Sequence, residues 1–189
     1  NTEGTMVSPL IKRHFYYKED AVQSALRMGK LSVNRLHPDY NGLLVVNEIL
    51  GGYFGSRLMT SLRERRGYTY NIGSAMVTLP KAGFFVVITQ VGTGVCRKAV
   101  NEIYTEIEKL CNEPVSINEL NLVKNYMLGQ QLRMFDGAFA LSEAFRAILD
   151  YGLDYDYFEN LIETIKTITP DKIIELANKY LHHAQLLEV

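Results

Sequence analysis

Leu50-Gly51-Gly52-Tyr53-Phe54-Gly55-Ser56-Arg57-Leu58 runs on into Ser61-Leu62-Arg63-Glu64-Arg65-Arg66-Gly67-Tyr68-Thr69-Tyr70. An apolar helix over 43–50 is expected to stop at Gly51 and Gly52, because glycine best tolerates the left-handed conformation past a helix end. A second helix is expected to restart near Ser56, an N-cap residue type, and to carry Arg57 and Arg63. Gly67 ends it, with Arg65 and Arg66 in a last turn where positive charge suits the helix dipole. A strand over 68–77 follows. Side chains two apart on a strand share a face, so Tyr68 and Tyr70 are expected to point together. The turn at Gly67 brings Tyr70 back alongside Arg63, seven positions earlier. A guanidinium and a phenol side by side make a clamp suited to a peptide backbone.

Upstream, 12–17 and 23–33 read as strands, with aromatic and aliphatic residues alternating with polar ones. A turn over 34–41 places Pro38 near a helix start. The helix behind it is apolar nearly all round, which predicts a central buried position. Downstream, Pro80-Lys81-Ala82-Gly83 is a turn joining 68–77 to a second strand, 84–91, as a hairpin. Thr93 is placed to cap a helix whose apolar positions are Cys96, Val100, Ile103, Ile107 and Leu110. Ser116 with Glu119 spells a capping box for a long helix towards Arg133. Asp136-Gly137 breaks it, and helices over 139–151, 155–167 and 170–181 follow, with a final strand from Gln185. The pattern predicts an α+β domain, a mainly antiparallel β-sheet with helices packed on one face.

At 189 residues, with no internal repeat or linker, the chain is read as a single domain, 1–189. A hydrophobic content of 47% and a charged content of 22% are those of a soluble globular protein. The net charge of -1 gives no electrostatic reason to expect nucleic acid or an anionic membrane. No apolar run approaches the roughly 20 residues that span a bilayer, no signal peptide is present, and the compartment stays open. Opening on Asn1 and closing on Leu186-Leu187-Glu188-Val189, like a strand just begun, the chain reads as a segment excised from a longer protein. Cys96 and Cys111 share one predicted helix, over 20 Å apart at about 1.5 Å per residue. That is too far for a disulfide, so both are expected to be buried thiols.

The central block resembles the second, non-catalytic domain of the pitrilysin, insulin-degrading enzyme and mitochondrial processing peptidase family of zinc peptidases. The family's Leu-Gly-Gly-x-x-x-Ser-Arg-Leu run reads here LGGYFGSRL, and its Arg-Glu-x-x-Gly-x-x-Tyr motif maps onto Arg63-Glu64 and Tyr70. His37-Pro38-Asp39-Tyr40, and Pro114-Val115-Ser116 with Glu119, also match, and the likeness runs from about Tyr17 to Glu175. The resemblance implies a processing-peptidase-like fold, from a two- or four-domain peptidase, whose other sheet face looks into a closed chamber. It also implies that Arg63 and Tyr70 grip the substrate main chain, opposite a zinc held by a sister domain in cis or a partner subunit in trans.

The family's zinc motif, His-x-x-Glu-His, is absent: His14, His37, His182 and His183 each lack the required glutamate. A zinc site needs three or four convergent ligands, and adjacent His182 and His183 would point about 100° apart on a helix. The chain is therefore expected to hold no metal, to contain no catalytic residue and not to hydrolyse peptides alone. Spacing by itself favours a solvated arginine and a half-buried strand tyrosine at 63 and 70. The resemblance turns that reading toward substrate binding. Ser56 and Arg57 divide evenly between the chamber floor and a helix cap with a structural ion pair, and Tyr68 is a further candidate. Gly51, Gly52 and Gly67 read as structural. An arginine patch for nucleic acid is disfavoured by the intervening Glu64, and the acidic run 150–157 lacks calcium-ligand spacing. The rival reading is a catalytically silent scaffold or assembly subunit of the same family.

Overall fold

Pro80 and Lys81 close the hairpin between strands β2 (Ile72–Leu79) and β3 (Ala82–Gly92), pairing Leu79 with Ala82 and Ile72 with Thr89. In the computed structural model, which describes residues 12–182 and 186–189, β1 (Gln23–Ser32) lies antiparallel on the other side of β3. The two residues of β4 (Leu187–Glu188) pair with β1, giving the order β2-β3-β1-β4. Alternation sorts the side chains. Leu26, Met28, Ile72, Phe85, Val87 and Val91 are buried on one face, while Ile88 and Gln90 on the other are exposed.

Helix α1 (Tyr40–Asn47) packs against that buried face, with Leu43, Val45 and Val46 at most 1% exposed. It is covered in turn by α5 (Asp156–Thr167) and α6 (Pro170–Tyr180). An all-round apolar helix is what a position between two layers requires. Asp39 ties its start to the end of α6: its Oδ2 accepts from Lys179 Nζ and Tyr180 Oη, both at 2.7 Å. These two donors, Lys179 first, hold the Asp39 carboxyl below its ordinary range. Helix α2 (Cys96–Asn112) buries Ala99, Ile103, Ile107 and Leu110 against the same core. Helices α3 (Ile117–Met134) and α4 (Ala138–Leu149) complete the layer, α4 around a small cluster of Ala144, Ile148 and Phe158. The α+β architecture with helices on one sheet face is the one read from the sequence. No helix of the described residues is long and apolar enough to cross a membrane.

Several local expectations give way to tertiary structure. Residues 12–17 form no strand. Among the described residues their one ladder contact is a parallel bridge between Arg13 and Glu188, in the two-residue β4. Phe15, Tyr16 and Tyr17 consequently stand at least 80% exposed. Thr93 does not cap α2. Its hydroxyl donates to the Ala21 carbonyl at 2.9 Å, and a short 3-10 turn, Thr93–Val95, precedes the helix. Cys96 and Cys111, near opposite ends of α2, are free but only half-buried. His182 lies past the end of α6 rather than on it. His183 and Gln185 lie outside the described residues.

Candidate functional site

Helix α1 passes into a π-helical turn, Glu48–Gly52, that ends on the glycine pair, but neither glycine adopts the left-handed conformation expected there. The glycines serve close approach instead. A Cβ on Gly51 would lie 2.6 Å from Ser74 Oγ and 2.8 Å from Ser74 N, so β2 can lie against this turn only if residue 51 lacks a side chain. Ser74 Oγ also donates to the Asn47 carbonyl at 3.4 Å. Wide helical turns of this kind are frequent at functional sites.

The chain then turns at Tyr53, whose ring packs on Tyr126 at 4.9 Å, and re-enters helix at Ser56. Ser56 starts the helix with its carbonyl, which accepts from Thr60 N at 2.9 Å. Its hydroxyl is buried without a partner and caps nothing. Arg57 makes a two-pronged ion pair with Glu119, Nε to Oε1 at 2.8 Å and Nη2 to Oε2 at 2.9 Å. This also explains a half-formed capping box. Ser116 Oγ accepts from Glu119 N at 3.1 Å, but the Glu119 carboxylate turns to Arg57 instead of back to the helix start. Of the two roles open to Ser56 and Arg57, the geometry describes burial and a structural ion pair.

Leu58 and Leu62, fully buried, anchor a second π-helical segment, Met59–Arg65. Each such leucine contributes roughly 1.5–3 kcal/mol. The segment ends at Gly67, whose φ of +63° is the left-handed value that favours glycine. Beyond it, residues 68–71 are not strand, since ladder pairing begins only at Ile72. Thr69 holds them instead, its hydroxyl donating to the Gln90 carbonyl at 2.7 Å and accepting from Asn71 N at 3.1 Å. Strand alternation therefore does not apply, and Tyr68 and Tyr70 do not share a face. Tyr68 packs half-buried against the core, and Tyr70 is 84% exposed.

The structure brings Arg63 and Tyr70 together. The Arg63 guanidinium carbon lies over the Tyr70 ring, 4.9 Å from its centroid, and over the Phe54 ring at 4.6 Å. Arg57 and Arg66, on the same stretch, pair with Glu119 and Glu102. Arg63 forms no ion pair among the described residues. Its N–H donors and the Tyr70 hydroxyl are thus available on an exposed surface. Phe54 did not stand out in the sequence; an aromatic between a glycine pair and Ser56 was the only signal for it.

One more group here escaped the sequence. Glu48 sits in the π-helical turn with its Oε1 buried and unpartnered, and burial pushes its carboxyl up from the ordinary value. For metal binding, no group of three or more His, Cys, Asp or Glu converges among the described residues.

The fold is an α+β domain, a four-stranded antiparallel sheet with helices on one face. The sequence profile of the family described as Peptidase M16 inactive domain matches residues 4–127, and the chain belongs to that family. It is similar to the "Probable inactive metalloprotease YmfF" of Bacillus subtilis, 24% identical over 86% of this chain and 38% of that protein. It is also similar to the "Uncharacterized zinc protease ML0855" of Mycobacterium leprae, 25% identical over 87% of this chain and 37% of that one. The crystal structure of a peptidase M16 inactive domain from Pseudomonas fluorescens superposes with a TM-score of 0.79. There the identity is 24%, covering 89% of this chain and 40% of that chain. The chain spans under two fifths of the length of these two curated relatives.

Proposed function

We propose that this chain is the substrate-binding, non-catalytic domain of a larger zinc metalloendopeptidase of its family. Its Arg63 and Tyr70 bind an extended polypeptide by the main chain. The observation that carries the reading is the state of Arg63: half-buried, beside an exposed tyrosine, and without a carboxylate among the described residues while its neighbours Arg57 and Arg66 have one. A guanidinium offers planar paired donors that suit carbonyl and carboxylate oxygens, and a phenol adds one donor or acceptor. Such groups read backbone rather than side chains, so the site selects extended polypeptide with little sequence preference. The metal and the catalytic residues belong to another domain, in the same polypeptide or in a partner subunit.

The test uses the full-length protein with its partner, if it has one. Arg63→Ala or Tyr70→Phe lowers peptide hydrolysis at least about tenfold, the scale of losing one hydrogen bond worth about 1.4 kcal/mol, with the fold intact. Unchanged rates in both variants would refute the assigned roles. The name of the B. subtilis relative favours a second reading, a silent scaffold. That reading wins if the unaltered full-length protein neither cleaves nor binds polypeptide.

A further inference from the structure

Phe54 is held out in water by a turn that is itself well anchored. It is 62% exposed, flanked by Tyr53, which packs on Tyr126, and by Ser56, whose N–H donates to the Tyr53 carbonyl at 3.1 Å. The hydrophobic effect opposes leaving a phenyl ring there. Among the described residues its ring has one aromatic-type neighbour, the Arg63 guanidinium at 4.6 Å. Tyr70 meets the same guanidinium at 4.9 Å, so two rings contact one cation. A guanidinium lying over ring faces keeps its N–H groups in its own plane, clear of the rings. Loose, an arginine loses much of its rotamer freedom when it binds; held beforehand, it loses less.

We propose that Phe54 is a positioning residue of this site. With Tyr70 it fixes the plane of the Arg63 guanidinium, so that the donor fork is presented ready-made to the main-chain carbonyls of a polypeptide. The proposal rests on the reading of Arg63 as a polypeptide-binding group, and the experiment separates the two. The full-length protein is titrated against fluorescein-labelled casein, an unstructured polypeptide probe, and affinity is read by anisotropy. Phe54→Ala is expected to weaken binding about fivefold, the scale of one cation–π contact at a partly exposed site. Phe54→Trp is expected to restore it to within about twofold, and Phe54→Ala to add nothing in an Arg63→Ala background. If Arg63→Ala weakens binding but Phe54→Ala does not, the inference falls and the polypeptide-binding reading stands. The inference falls likewise, and the binding reading survives, if Phe54→Ala weakens binding equally with and without Arg63. If Arg63→Ala itself has no effect, both fall. Should the alanine variant lose its thermal transition, Phe54→Leu, apolar but without a π face, takes its place in each comparison.

Discussion

Arg57 and Arg63 lie on one short helical stretch and are put to opposite use. Arg57 points inward, its side chain 16% exposed, and is met two-pronged by Glu119, so that α3 is fastened to the segment. Arg63 emerges beside two exposed rings and is met by no carboxylate among the described residues. The difference teaches that a cation's role is read from its partner rather than from its motif. An arginine met two-pronged by a carboxylate holds the fold together, whereas on the proposed reading one held by aromatic rings keeps its donors for a ligand.

Each half of the contrast can be broken separately. The largest stability effect is expected from Arg57→Ala, which strips Glu119 of its partner in a half-buried setting. It costs about 2 kcal/mol, the scale of a charged hydrogen-bond pair, and lowers Tm by roughly 4–8 °C for a domain of this size. Polypeptide affinity per folded molecule stays unchanged; a parallel loss of affinity at temperatures where the variant is folded would blur the division. Arg63→Lys should do the reverse. It keeps the charge but lacks the planar fork, so affinity for the casein probe falls severalfold, on the order of 1 kcal/mol, while Tm holds.

Glu48 supplies the opposite test, a buried carboxyl without a cation. Its proton is held more tightly in the folded chain than in the unfolded one, so stability declines as pH rises from the ordinary glutamate value through the raised one. Glu48→Gln removes that dependence. Its Tm gain over the unaltered protein should be larger at about pH 8 than at about pH 4; an equal gain at both would show that the carboxyl finds a partner. The smallest change is expected for Arg66→Ala. Its ion pair with Glu102 at 3.3 Å is about half exposed on the arginine side, and its loss should cost under about 0.5 kcal/mol in a urea titration.

How much of this was legible follows the range of the interactions. Short-range signals read true: α6 begins at Pro170, Ser116 caps α3, and Pro80-Lys81 closes the hairpin. The meeting of Arg63 with Tyr70 was also legible, because one glycine turn separates them. What failed depended on partners distant in sequence. Ser74 presses on Gly51, so the glycine pair serves close approach rather than a left-handed helix end. Glu119 leaves its capping box for Arg57, 62 positions away. The segment 12–17 alternates like a strand but finds only the two residues of β4 to pair with. Thr69, bound to the Gln90 carbonyl, keeps Tyr68 and Tyr70 off the ladder and sends them to opposite environments.

Photo-crosslinking tests the central claim most directly. The full-length protein carrying Glu64→p-benzoylphenylalanine, at an exposed position next to Arg63, is irradiated with labelled casein, beside a control with the same probe in place of Phe139, which is 92% exposed on α4. A polypeptide bound at Arg63 and Tyr70 is captured at position 64 and not at 139. Capture at neither position, or equally at both, would contradict the assignment of this surface as the binding site.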